Sequence, residues 1–162
     1  MDQEYIAKVL SCIRDSEFQA YRVYMKLSSL PFLSKEISIT FRHIARESQN
    51  HGLFIEELMS LLNLSYINNA CRDVGGTTYD SYKKLDELYG REIRELDNVI
   101  EILNLLNNVE TVAGEEIYTA LVLPLLAKSV ENELISEIIH KVKSDENIHR
   151  YLVELSRKFI NR

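Results

Sequence analysis

An all-α fold follows from three features of the sequence. Apolar residues recur with a 3.6-residue rhythm along nearly the whole chain, and the two-residue alternation of a half-buried strand is absent. Glycine and proline, which punctuate strands and turns, number only 5 and 2 among 162 residues. At 46% apolar, a chain of this length fits a single domain, residues 1–162, with one sizeable core.

The first helix is expected from about Gln3 to Ser29, stopping before Pro31, with an inner stripe of Ile6, Leu10, Ile13, Glu17, Ala20, Tyr24 and Leu27. Glu17 is the one charged member of that stripe. Ser34 suits the N-cap of a second helix, because its hydroxyl can accept from a backbone N–H that the helix leaves without a partner. The stripe there reads Ile37, Phe41, Ile44, Ser48, His51, Ile55, Leu58, Leu62, again with polar residues at its middle. From Leu64 to Gly90 the pattern lapses into Asn68, Asn69, Asp73 and the pair Gly75 and Gly76 before a short helical segment, Asp80 to Tyr89, that Gly90 would close with positive φ. This stretch reads as a long crossover, which lets the second and third long helices run parallel at opposite corners of a bundle.

The third long helix covers about Arg91 to Leu123, ahead of Pro124, and is apolar nearly all round. Two stripes compete. One carries Leu96, Val99, Leu103, Leu106 and Glu110; the other carries Ile102, Leu105, Val109, Val112 and Glu116. Asn132 can cap a fourth helix running towards Ile160, with Ile135, Ile139, Val142, Glu146, His149 and Val153 along one face. Glu146 and His149 are three residues apart and therefore neighbours on a helix surface. A carboxylate and an imidazole so placed, without partners, would cost several kcal/mol; they call for partners from the other helices.

Sliding the chain by 98 residues aligns Ser34 with Asn132, Ile37 with Ile135, Phe41 with Ile139, Ile44 with Val142, Ser48 with Glu146 and His51 with His149. N-cap, apolar stripe and central histidine coincide without a gap. A duplicated helical hairpin would bring the two histidines together about a pseudo-twofold axis.

With a formal net charge of -6 and scattered lysines and arginines, the chain has no electrostatic footprint for nucleic acid or an anionic membrane. Its longest apolar run, around Ala120 to Ala127, falls well short of the ~20 residues of a bilayer span. The acidic start, Met1-Asp2-Gln3-Glu4, resembles no secretory signal. Cys12 and Cys71 are too few for a disulfide framework and read as plain thiols, which makes the cytoplasm the simplest setting.

Glu17, Ala20 and Tyr24 on the first helix, and Asp145, Glu146 and His149 on the fourth, resemble motifs of the ferritin-like superfamily, and within it of the rubrerythrin-like proteins. The resemblance spans about residues 3 to 160. It implies an up-down-down-up four-helix bundle with one long crossover and a short extra helix. It also implies a pair of iron or manganese ions, or zinc as bound, held by a carboxylate from each of two helices and Glu-x-x-His from each of two others. Carried over residue by residue, the metal ligands are Glu17, Glu47, His51, Glu110 or Glu116, Glu146 and His149. Val109 to Ala113 matches the third-helix phrase, which favours Glu110; Glu116 instead preserves a 30-residue spacing to Glu146. The second helix departs from the pattern, with Ser48 where the family has Glu. Either Glu47 reaches the site from one residue earlier, about 40° round the helix instead of about 60° the other way, or Ser48 faces the core and one ligand is missing.

The resemblance implies an oxidoreductase acting on peroxide, dioxygen or ferrous iron, and a homodimer. There is no Cys-x-x-Cys pair for a rubredoxin domain, so a peroxidase of this kind would draw on a separate electron donor. The rival expectation is a metal-free bundle serving as an assembly or partner-binding module, with Ser48 marking a decayed site. His43 and His140 fall on the solvent side of their helices.

Overall fold

The computed structural model describes residues 2–76, 78–111 and 133–160, the side chains of Thr78, Glu110, Thr111, Leu134, Ile135, Ser136 and Lys143 apart. Every regular element among them is a helix: α1 Gln3–Ser28, α2 Lys35–Leu61, α3 Cys71–Val74, α4 Thr78–Tyr89, α5 Leu96–Thr111 and α6 Glu133–Ile160. Helix α1 packs along α2, α4 along α5, and α6 touches both α2 and α5. The chain is a helical bundle.

Local chemistry sets the helix ends. Asp2 accepts from Glu4 N at the start of α1, and Ser34 accepts from Ile37 N at the start of α2. Helix α2 closes in a Schellman motif: Leu64 N bonds Met59 O at 2.9 Å and Asn63 N bonds Ser60 O at 3.1 Å, with Asn63 at φ 55°. Among the described glycines only Gly76 takes a positive φ, so Gly90 does not close α4 in the expected way. The third long helix also starts later than expected, at Leu96 instead of Arg91. Lys26 Nζ, on α1, donates to the carbonyls of Tyr89, the last residue of α4, and of Arg91 (2.7 Å to the latter), so both are satisfied from α1 and not by a continuing helix.

The crossover lies along the outer side of α1. Ser11 Oγ accepts from Ile67 N at 2.9 Å, Tyr66 donates its hydroxyl to Asp15, and Gln19 Nε2 donates to Tyr82 O at 3.0 Å and to Asp86 at 2.9 Å. Here the structure corrects the reading of the cysteines. Cys12 on α1 and Cys71 on α3 form a disulfide, with Cα atoms 4.6 Å apart and both residues buried beside Ala70, Ile67, Tyr79 and Tyr82. The two lie 59 residues apart in sequence, and only the return of the crossover onto α1 brings them together. Free thiols therefore no longer argue for a reducing compartment. No described helix is long and apolar enough to cross a membrane.

Beside the small cluster around the disulfide, two larger apolar clusters form the core. One gathers Ala20, Tyr24, Leu27, Phe41, Ile44, Val99, Leu103 and Leu106, with Tyr24 and Phe41 ring centroids 5.8 Å apart. The other gathers Leu10, Ile13, Ile55, Leu58, Ile139 and Val142. Along α1 the chain passes from the second cluster to the first between Ile13 and Ala20, along α2 from the first to the second between Ala45 and Ile55, and along α6 from the second to the first between Val142 and Val153. Glu17, Ser48, His51, Glu146 and His149 occupy those gaps, so the polar residues form a layer between two apolar ones.

Candidate metal centre

Each of these side chains is inward because its helix is amphipathic, and the 3.6-residue period that buries its neighbours buries it too. All five are buried, together with Asp145, and His149 has no exposed surface at all. His51 Nδ1 lies 3.0 Å from Glu146 Oε1 and 3.7 Å from Glu17 Oε1. His149 Nδ1 lies 3.6 Å from the same Glu146 oxygen. The two imidazoles stack at 5.7 Å between centroids, tilted by 27°. One ligand atom from each of Glu17, His51 and Glu146 falls within 4.8 Å of the others.

The outer ring nitrogens have carboxylate partners of their own. His149 Nε2 lies 2.8 Å from Glu47 Oε2, and His51 Nε2 lies 3.5 Å from Asp145 Oδ2. An ionised carboxylate only accepts, so His149 donates from Nε2, and in the neutral ring that tautomer leaves the lone pair on Nδ1, towards the centre. The exchange is reciprocal. In the 98-residue register Glu47 stands where Asp145 does (47 + 98 = 145), and each carboxylate, four residues before the histidine of its own helix, holds the histidine of the other. Carboxylates in this position orient metal-binding imidazoles and make them better donors.

Three buried atoms at the centre, His51 Nδ1, Glu146 Oε1 and His149 Nδ1, have no hydrogen-bond partner among the described residues. His51 Nδ1 and Glu146 Oε1 are 3.0 Å apart without the alignment of a full hydrogen bond, and a proton on His51 is what draws them together. An unmade bond at a buried polar atom costs about 1–3 kcal/mol, so three at one point are a heavy local cost unless a metal ion takes their lone pairs or a proton on His51 relieves part of it. The donor set of two imidazole nitrogens and two carboxylates suits iron, manganese or zinc and offers no soft sulfur ligand. The residues present therefore fit a first-row divalent ion.

The electrostatics agree. Burial pushes the Glu17 carboxyl up to about 7, with the negative Glu146 adding to the rise and His51 opposing it. Burial alone would lower His51, but the Glu146 and Glu17 carboxylates override it and raise it to about 10. In the absence of metal, the cluster keeps a proton on His51 as its counter-charge.

No family model, curated protein or solved structure matches this chain.

Of the residues expected as ligands, Glu17, His51, Glu146 and His149 come together at the centre. Glu47 reaches the outer nitrogen of His149 and also lies 3.3 Å from His43 Nε2, while Ser48 beside it joins His51 in the buried polar layer. The side chain of Glu110 and the whole of Glu116 lie outside the described residues. On α5 neither stripe is excluded: Val99, Leu103 and Leu106 of one and Ile102 and Val109 of the other are buried, while Leu96 of the first is exposed and Leu105 of the second half-buried. Sequence reasoning gave Asp145 no role of its own. Its signal was present in the repeat, where it occupies the register of Glu47.

Proposed function

We propose that this chain is a carboxylate–histidine metalloprotein of the rubrerythrin-like kind, a ferritin-like four-helix bundle that holds iron or manganese between α1, α2 and α6. On this reading it is an oxidoreductase that reduces peroxide or dioxygen or oxidises ferrous iron. The observation that carries the reading is the convergence of three unpaired buried ligand atoms, with the Glu17 carboxylate beside them, in a layer closed above and below by apolar side chains.

The chain's residues divide the work. Glu17 and Glu146 supply the negative charge that a buried divalent ion needs. His51 and His149 supply nitrogen ligands, and Glu47 holds His149 in the tautomer that leaves Nδ1 free. Ile13, Ile55 and Val142 on one side and Ala20, Ile44 and Val153 on the other keep bulk water from the layer. A bound iron or manganese ion would supply reversible one-electron redox chemistry there. Reducing equivalents come from a separate donor, and the active form is a homodimer.

Anaerobic loading with ferrous iron, desalting and metal analysis test the reading, with His51→Ala as control. Wild type is expected to retain metal and the variant to lose it; a wild type that retains none sinks the proposal. A second reading, a metal-free bundle serving as an assembly or partner-binding module, draws on Ser48 and on the proton that His51 holds against Glu17 and Glu146. It predicts that added metal leaves thermal stability unchanged.

A further inference from the structure

We propose that the centre holds one tightly bound divalent ion, on Glu17, His51 and Glu146 with His149 alongside, and that Ser48 is the residue that limits it to one. The inference rests on the metal-binding reading above and concerns how many ions that centre takes.

The geometry favours a single focus. Bonds of about 2.1 Å place the ligand atoms of one ion about 3.0–4.2 Å apart, as edges and diagonals of its coordination shell. The distances through His51 Nδ1 are 3.0 Å to Glu146 Oε1 and 3.7 Å to Glu17 Oε1, and His149 Nδ1 stands 3.6 Å from that same Glu146 oxygen. One ligand atom from each of Glu17, His51 and Glu146 thus surrounds one point, with His149 joined to its edge through Glu146.

The other half of the centre lacks its counterpart. In the 98-residue register the equivalent of Glu146 is Ser48, which is buried in the polar layer but brings a neutral hydroxyl where its partner helix brings a carboxylate. The adjacent Glu47 does not make good the loss, because its carboxylate is engaged at His149 Nε2 and beside His43. Glu17 and Glu146 together balance one divalent charge. A carboxylate from the third long helix would raise the central count to three, still one short of the four that serve two ions in dinuclear carboxylate bundles. A second ion would then sit about 3.5–4 Å from the first in a water-poor layer where, among the described residues, Glu17 and Glu146 are the only carboxylates at the centre, Asp145 standing at the outer nitrogen of His51.

The test uses Mn(II), loaded anaerobically and desalted, with metal analysis and electron paramagnetic resonance on the same samples. Wild type is expected to retain about one Mn per chain, with the hyperfine pattern of an isolated ion; Ser48→Glu is expected to retain about two, with an exchange-coupled spectrum. Two ions per wild-type chain with a coupled spectrum overturn the inference and leave the metal-binding reading standing, whereas no retained Mn overturns both. A folded Ser48→Glu protein that stays at one ion overturns the role given to Ser48. If that variant does not fold, Ser48→Asp brings the same charge in a smaller side chain, and the wild-type spectrum decides the count unaided.

Discussion

At the scale of single residues, the centre depends on groups that would not themselves touch a metal. Glu47 accepts from His149 Nε2, and Asp145, itself paired with Lys141, stands by His51 Nε2. Removing such a partner leaves the imidazole free to rotate or change tautomer, and it typically costs 10–100-fold in metal affinity without removing a ligand. Glu47→Ala should therefore weaken binding by roughly that factor, while Glu47→Gln, whose amide oxygen still accepts from Nε2, should lose less. Competition with a coloured chelator measures both. Equal losses in the two variants would mean that the carboxylate is itself a ligand. Much of this centre was legible beforehand, because a charged residue in an apolar helical stripe breaks a simple pattern: Glu17, His51, Glu146 and His149 each stand out that way. The pairing of Glu47 with His149 was not, since it depends on how two helices face each other and not on either helix alone.

At the scale of elements, α1 is the most heavily tied piece of the chain, with α2 along one side and the crossover bonded along another. The period of its apolar residues gave its extent to within one residue, and Ser34 gave the start of α2. What sequence did not reveal lies in the crossover. Asn63 and Asn69 take the positive φ expected of Gly90, and the carbonyl of Arg91, five residues before α5 starts, is bonded by Lys26 from α1. These are choices made by contacts between distant segments, which local pattern does not encode. The disulfide belongs with them. Closing a loop of 59 residues removes chain entropy from the unfolded state worth about 4 kcal/mol. Wild type unfolded and refolded in reductant should accordingly melt at a lower temperature than the oxidised protein, and the double variant Cys12→Ser, Cys71→Ser should melt at one temperature with or without reductant. A wild-type melting temperature indifferent to reductant would exclude a stabilising cross-link.

At the scale of the whole molecule, a polar layer between two apolar clusters makes stability, proton binding and metal binding one coupled problem. In the metal-free protein His51 titrates at about 10 against an ordinary 6.5, so its contribution to stability is complete below 6.5 and is lost as pH rises through 10. Glu17 titrates at about 7 against an ordinary 4.5; its contribution is likewise complete below 4.5 and gone above 7. These two groups therefore make the metal-free protein progressively less stable from pH 4.5 to pH 10. A metal ion needs both in their deprotonated forms and must displace their protons, so its affinity changes in the opposite sense, rising with pH. Binding to the folded state alone stabilises by about 4.1 kcal/mol when free metal is a thousandfold above its dissociation constant, and by less as affinity falls. At a fixed concentration of Mn(II), the upward shift in melting temperature should hence be small at pH 5 and grow steadily towards pH 8. His51→Ala should show almost no shift at any pH, because it removes the nitrogen shared by both carboxylates. Scanning calorimetry across that range, with and without metal, separates the metal-binding reading from the metal-free bundle. The first requires a shift that widens with pH and vanishes in the variant, and the second requires none.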